Sequence, residues 1–149
     1  MILFLDFDGV THPEPYTQKT AFQQLPLIES VVREMGRVEI VITSSWRETH
    51  SLEELRDYFS PDIQPRVVGV TPNLWNPELP PAFVRERECA TWLAANRPTG
   101  TRWLAIDDRP TWFQPNCPNL LVTVTTRGFL PPQIEILRDK LTQRSLMGA

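Results

Sequence analysis

The chain has 149 residues, of which 41% are hydrophobic and 22% charged, and its formal net charge is −3. This length suits one domain with a buried core over residues 1–149, and the near balance of charge argues against a broad, non-specific nucleic-acid interface. The lack of a long apolar run and of a basic N-terminal segment argues against a membrane span and a signal peptide. Two distant cysteines without metal-binding spacing, Cys89 and Cys117, favour reduced thiols in a cytoplasm.

Strands and helices alternate in the predicted secondary structure. The apolar run at 2–5 is typical of a strand buried on both faces, and apolar residues at helical spacing from Leu27 to Met35 predict the first helix. A proline-rich stretch at 71–83 predicts a long surface loop. The remaining predicted strands lie at 38–42, 67–70, 103–106 and 120–124, and the remaining helices at 51–58, 83–95 and 132–144.

This order of elements predicts an α/β, three-layer Rossmann-like fold with a central, mainly parallel five-stranded sheet. In such sheets ligands bind beyond the carboxyl ends of the strands. Three predicted strands end in polar residues: Asp6 and Asp8 after the first, Thr43, Ser44 and Ser45 after the second, and Asp107 and Asp108 after the fourth. Taken singly, these residue types are also typical of helix caps and turns, but their combination at three strand ends favours a functional site.

Four carboxylates that converge on one cavity would repel one another unless a cation lies among them. Because the chain has only two histidines, a hard ion held by oxygen is expected, and Mg²⁺ also orients phosphate groups. One aspartate can then attack phosphorus while a second transfers the proton, and a hydroxyl and an arginine stabilise the phosphoryl oxygens. Arg85 and Arg87 are the candidate arginines near a predicted helix start, although either could lie on a solvated face.

Four motifs occur in a defined order along the chain: "DFDGV", a strand-terminal Thr/Ser, a basic residue that opens a helix, and a strand that ends in "DD". In order and spacing they resemble the haloacid dehalogenase (HAD) superfamily. The segments "LFLDFDGV", "SSWR" and "WLAIDD" are most similar to the HAD domains of bacterial and phage RNA-repair proteins. The resemblance implies a HAD-like fold, and the chain has no segment long enough for a large cap domain.

The resemblance also implies a catalytic role for several residues. Asp6 corresponds to the nucleophile, Asp8 to the general acid/base, Thr43 to the phosphate-binding hydroxyl and Arg85 to the basic residue. The implied Mg²⁺ ligands are Asp6, Asp8 through its backbone carbonyl, Asp107 and Asp108.

Two of these assignments leave an alternative open. Ser44 competes with Thr43 because the register at that strand end is uncertain by one residue, and Arg87 competes with the preferred Arg85. Gly9 is expected to let the backbone turn sharply after the acid pair, beside the substrate.

The function that these residues predict is a Mg²⁺-dependent phosphatase that acts through an aspartyl-phosphate. Without a lid domain the site is expected to be open and to accept a large phosphorylated substrate, such as a nucleic-acid end or a phosphoprotein. The alternatives are a metal-dependent nuclease, in which clustered acids bind two ions, and a non-catalytic HAD-like binding module. The sequence does not indicate an oligomeric state.

Aromatic residues near the motifs have two interpretations. His12 and Tyr16 lie in the loop where the HAD family places a mobile flap, so they either contact substrate or pack within the loop. Trp46 and Trp75 either stack on a nucleic-acid base or are buried over the sheet.

Overall fold

The structure, a computed structural model, describes residues 1–147. Its centre is a parallel sheet in the order β3-β2-β1-β4-β5, which confirms the predicted five-stranded α/β architecture. The strands are β1 (Ile2–Leu5), β2 (Glu39–Ile42), β3 (Val67–Val70), β4 (Trp103–Asp107) and β5 (Leu120–Val122). The helices are α1 (Leu25–Glu34), α2 (Leu52–Arg56), α3 (Val84–Asn96) and α4 (Gln133–Met147).

Local sequence explains where α1 and α2 begin. Pro26 lies in the first turn of α1, where a missing backbone N–H costs little. The predicted capping box opens α2, because Ser51 Oγ accepts a hydrogen bond from the backbone N–H of Glu54 and the Glu54 carboxylate accepts one from that of Ser51. The helix ends at Arg56, two residues earlier than the predicted limit of 58.

The last strand is also shorter than its predicted range of 120–124. After Val122 the Thr123 hydroxyl donates a 2.7 Å hydrogen bond to the Gly9 carbonyl, and the backbone then folds back on itself in an antiparallel bridge between Val124 and Gly128. Contacts with the loop after β1 therefore end the strand. The apolar run 120–124 by itself carries no sign of these contacts.

Side chains of successive strand residues point to opposite faces of the sheet, which divides the core in two. On one face Leu3 and Leu5 pack in a cluster with residues of α1 and α4. On the other face Phe4 packs with Trp92 of α3 and with Trp103. Helices therefore cover both faces, as the uninterrupted burial of β1 predicts.

The sheet order reverses between β1 and β4, because the chain runs from β1 to β2 on one side and reaches β4 on the other. Leu5 lies opposite Ile106 in the parallel register, so the residues that follow both strands emerge side by side. No large cap domain is present among residues 1–147, as predicted. Within the same residues no helix is long and apolar enough to cross a membrane.

The buried aromatic contact at the sheet gives a stability prediction. Phe4 is fully buried and meets Trp92 and Trp103 edge-on, with ring centroids 6.0 and 5.8 Å apart. Phe4→Ala should lower the free energy of unfolding by about 3–5 kcal/mol, because it leaves a cavity in the core. Leu79→Ala, at a side chain that is 78% exposed, should change it by less than about 0.5 kcal/mol. Urea unfolding of both variants measures the difference, and equal losses would contradict the core assignment.

Candidate active site

Three carboxylates meet at the adjacent tips of β1 and β4. Asp6 follows β1, Asp107 ends β4 and Asp108 follows it. One oxygen of each lies within 4.8 Å of the others, and Asp6 and Asp107 are 6% and 1% exposed. The parallel pairing of the two strands is what brings these groups together, from positions about a hundred residues apart in the sequence.

Backbone groups hold the two buried carboxylates in place. The backbone N–H of Phe7 donates to Asp6 Oδ1 at 2.8 Å, and that of Arg109 donates to Asp107 Oδ1 at 2.9 Å. In the described part of the chain, Asp107 Oδ2 is buried without a hydrogen-bond partner. The Nε of Arg85 lies 3.3 Å from that oxygen, at ion-pair distance, and it too is buried without a hydrogen-bond partner.

Burial and mutual repulsion disfavour the charged forms of these acids. Burial, reinforced by the neighbouring Asp107, raises the pKa of Asp6 well above its ordinary value, although Arg85 opposes the shift. Burial likewise raises the pKa of Asp107 to about 7, against the effect of Arg85. A cation among the oxygens would remove the repulsion. The donor set, which is carboxylate oxygen alone with one atom unpartnered, fits a hard divalent ion.

The carboxylate of Asp8 lies beside this group and is held separately. His12 Nε2 lies 2.8 Å from Asp8 Oδ1, and the indole N–H of Trp46 donates to the same oxygen at 3.1 Å. The Phe22 backbone N–H donates to His12 Nδ1 at 3.1 Å, so that nitrogen carries no proton. The proton of the neutral ring is therefore on Nε2, and His12 donates it to Asp8. Two donors fix Oδ1 and leave Oδ2 as the oxygen available for chemistry.

Buried arginines connect α3 to the end of β2. Glu88 on α3 accepts hydrogen bonds from Arg85 at 3.1 Å and from Arg47 at 2.8 Å. Arg85 also donates to the Thr43 carbonyl, and Arg47 donates to the Thr71 carbonyl at 3.0 Å. Glu88 thus balances two guanidinium groups, and the network fixes Arg85 next to the carboxylates.

A cavity of about 210 Å³, the acid cavity, opens above the carboxylates. Its walls include Asp6, Asp8, Asp108, Ser45 and Arg85. The cavity therefore joins residues from the ends of three strands and from α3. Three residues that the strand-end motifs also predicted, Thr43, Ser44 and Asp107, are buried and are not among the residues that line it.

The hydroxyl residues after β2 lie at different depths. Thr43 and Ser44 are buried, and Ser44 Oγ accepts a 3.2 Å hydrogen bond from the backbone N–H of Trp46, which caps a short 3₁₀ turn. Ser45 is exposed and lines the acid cavity. The sequence places Ser45 at this strand end with Thr43 and Ser44 but assigns it no role, because which of the three hydroxyls caps the following turn depends on its geometry.

Three further candidates from the sequence, Arg85, Arg87 and Gly9, also differ in where they lie. Arg85 lies in the wall of the acid cavity, whereas Arg87 is exposed on α3. Gly9 has φ +76°, and a Cβ there would overlap the Asp108 carboxylate. Its observed role is to let the loop after β1 approach Asp108 closely.

Residues 2–134 match the protein family described as the HAD domain in Swiss Army Knife RNA repair proteins. The chain belongs to this family. The match confirms the resemblance drawn from the motifs and makes the chain a HAD-type hydrolase domain, of a superfamily whose members typically use a divalent metal. Comparisons with curated proteins and with solved structures gave no match. The acids that the fold gathers in this HAD domain provide a group suited to such a metal.

The raised pKa of Asp107 predicts how pH affects stability. Between pH about 4 and about 7 the metal-free folded state binds more protons than the unfolded state, so the free energy of unfolding should fall as pH rises through that window. Mg²⁺ at about a hundred times its dissociation constant should restore roughly 2.7 kcal/mol at pH 8, and much less at pH 5. Thermal unfolding in EDTA and in Mg²⁺ at both pH values measures these effects.

Two variants control this experiment. Asp107→Asn should reduce the pH slope, leaving the part that comes from Asp6, whose pKa burial also raises, and it should remove most of the Mg²⁺ effect because one of the carboxylates that hold the ion is gone. Asp57→Asn, at an exposed aspartate after α2, should keep both. A full Mg²⁺ effect in Asp107→Asn would contradict the metal assignment.

Proposed function

We propose that this HAD domain is a Mg²⁺-dependent phosphatase that hydrolyses phosphomonoesters through an aspartyl-phosphate on Asp6. The observation that carries the proposal is the group of buried Asp6 and Asp107 with half-buried Asp108, and with Arg85 in ion-pair contact with Asp107. Burial of carboxylates costs free energy of desolvation. That cost is offset where a divalent cation binds among them, and such a cation can also bind a phosphoryl group.

Asp6 and Asp8 divide the chemistry between them. Bound Mg²⁺, held by Asp6, Asp107, Asp108 and the Asp8 carbonyl, would neutralise the carboxylates and polarise the phosphoryl group. Asp6 Oδ2 attacks phosphorus and the bond to the leaving oxygen breaks, while Asp8 Oδ2 gives that oxygen a proton. Asp8 then takes a proton from water, the water oxygen bonds to phosphorus, and the bond to Asp6 breaks to release inorganic phosphate.

Three groups are assigned to the phosphoryl oxygens. Arg85 lies in the wall of the acid cavity, where its guanidinium group can donate to phosphate. We assign the hydroxyl of Thr43 rather than that of Ser44, because Ser44 already caps the following turn. Ser45, in the wall of the acid cavity, is added as a third donor.

Residues 1–147 form no large cap over the site, which suits a phosphate on a large molecule. A nucleic-acid end is the substrate we favour, and a phosphoprotein is the second candidate. A cytoplasmic location stays a prediction from the sequence.

The nuclease alternative requires a second metal site. In the described part of the chain the other group of suitable residues is Asp8, His12 and Glu14. Both ring nitrogens of His12 are engaged, one by Asp8 and one by Phe22, so this group has no free imidazole lone pair for a metal. The phosphatase, which needs one ion, agrees better with this geometry.

Hydrolysis of p-nitrophenyl phosphate in Mg²⁺ tests the proposal. Asp6→Asn should abolish turnover, because it removes the nucleophile. Asp8→Asn should lower kcat by about 10²–10⁴, because water is no longer activated, and an initial burst of nitrophenol should remain. Asp57→Asn is the control and should act as the parent does. If the parent hydrolyses no phosphomonoester but cleaves RNA or DNA, the nuclease replaces this proposal; if it does neither, the binding module does.

The contact between His12 and Asp8 gives a separate expectation. His12→Phe keeps the ring but removes the donor, so Asp8 should protonate a leaving oxygen less efficiently. Relative to p-nitrophenyl phosphate, whose leaving group needs little protonation, kcat for an alkyl phosphate should fall about tenfold. Trp46→Phe removes the other donor and should give a smaller change. Equal losses on the two substrates would indicate that His12 has only a structural role.

A further inference from the structure

A second cavity, of about 560 Å³, adjoins the acid cavity. Its walls contain the rings of Tyr16, Trp46, His50 and Tyr58, and we call these four residues the aromatic cradle. Asp8 and Ser45 line both cavities, so the cradle begins at the general acid/base.

Packing holds the rings of the cradle in position. Trp46 stacks on His50 with centroids 5.4 Å apart, and Tyr58 stacks on Phe22 at 4.2 Å. Tyr16 lies 5.8 Å from Trp46. Tyr16 and Tyr58 are nevertheless each 40% exposed, although large aromatic side chains lower the free energy when they are buried. The cradle is therefore a preformed aromatic surface with uncovered rings.

The position of Asp8 determines which part of a substrate reaches the cradle. When the phosphoryl group lies at Asp6, the leaving oxygen must lie within hydrogen-bond reach of Asp8. The group attached to that oxygen then extends along the wall that Asp8 shares with the cradle. Another neighbouring cavity, of about 250 Å³ with Trp75 in its walls, shares Ser45, Arg85 and Trp112 with the acid cavity. It borders the arginine, whereas the cradle borders the proton donor.

We propose that the aromatic cradle binds the terminal nucleoside of a phosphorylated nucleic-acid end, with its base stacked on Tyr16 and Tyr58. This inference rests on the proposed phosphatase function. It names the part of the substrate that binds on the side of the site facing the leaving oxygen. Flat, neutral rings attract the face of every base, and Glu48, Thr49 and His50 place polar atoms in the same walls for the base edges. A phosphoserine segment would instead bring backbone amides that need hydrogen-bond partners, which ring faces supply poorly.

A pair of substrates that differ only in the base tests the cradle. Adenosine 5′-monophosphate and ribose 5-phosphate carry the same phosphomonoester, and adenosine 3′-monophosphate and a phosphoserine peptide complete the set. We expect kcat/KM to be about tenfold higher for the better adenosine phosphate than for ribose 5-phosphate. Equal values, or a preference for the peptide, would overturn the proposal.

Variants of the cradle test whether its rings cause the preference for adenosine phosphate over ribose 5-phosphate. Tyr16→Ala and Tyr58→Ala should each reduce the ratio of the two kcat/KM values severalfold, and Tyr16→Phe and Tyr58→Phe should retain it because the ring remains. Trp75→Ala, which removes an exposed ring from the other cavity, should leave the ratio as in the parent. A ratio that stays unchanged in Tyr16→Ala and Tyr58→Ala would overturn the proposal. A ratio that falls in Trp75→Ala alone would also overturn it.

Failure of the cradle is distinguishable from failure of the phosphatase. If the parent hydrolyses p-nitrophenyl phosphate without preferring adenosine, only the cradle proposal is wrong. If the parent hydrolyses nothing, the cradle is tested by binding, with saturation-transfer NMR of adenosine and ribose on the parent and on the Tyr16→Ala/Tyr58→Ala double variant. Transfer to adenosine that is lost in the double variant supports the base site, and no transfer to adenosine overturns it.

Discussion

The parallel pairing of β1 with β4 is the constraint on which the rest of the structure depends. It places Asp6 and Asp107 side by side at the carboxyl ends of two inner strands, where burial keeps water from screening their charges. One oxygen of each lies within 4.8 Å of the other. In a medium of low dielectric constant, two carboxylates so close together favour protonation of one of them or the binding of a cation between them. The backbone N–H groups of Phe7 and Arg109 hold them there, so the repulsion is built into the fold and not relieved by side-chain rotation.

The arginines are arranged around this negative charge. Arg85 is in ion-pair contact with Asp107, and Glu88 balances Arg85 together with Arg47. These side chains are almost completely buried, so loss of one partner would leave an uncompensated charge in the interior. The network also connects α3 to the backbone after β2 and β3 through carbonyl oxygens. A single set of contacts thus stabilises the fold and positions the guanidinium group at the acid cavity.

Asp8 differs from the three clustered acids in its surroundings, which is why we propose a different role for it. Like Asp108 it is partly exposed, but two N–H donors hold one of its oxygens, and it lies between the acid cavity and the aromatic cradle. The other acids are positioned by strand ends, whereas Asp8 is positioned by His12 in the following loop and by Trp46 after β2. The strand ends of the sheet thus supply the cluster of charge, and loops supply the residue that we propose as the proton donor and the aromatic surface beside it.

The sequence by itself determined the alternation of strands and helices, the parallel sheet, the acids at two strand ends and the family. These features follow from local periodicity and from residue types at strand termini, which every segment carries within itself. Only the tertiary structure decided that Ser45 faces the cavity while Ser44 caps a turn, that Arg85 and not Arg87 is buried beside Asp107, and that Trp46 holds Asp8. It also shortened β5, through the bond from Thr123 to Gly9. Apart from the local cap by Ser44, each of these outcomes depends on how a helix or turn is oriented against a segment distant in the chain, and the local sequence pattern does not encode that orientation.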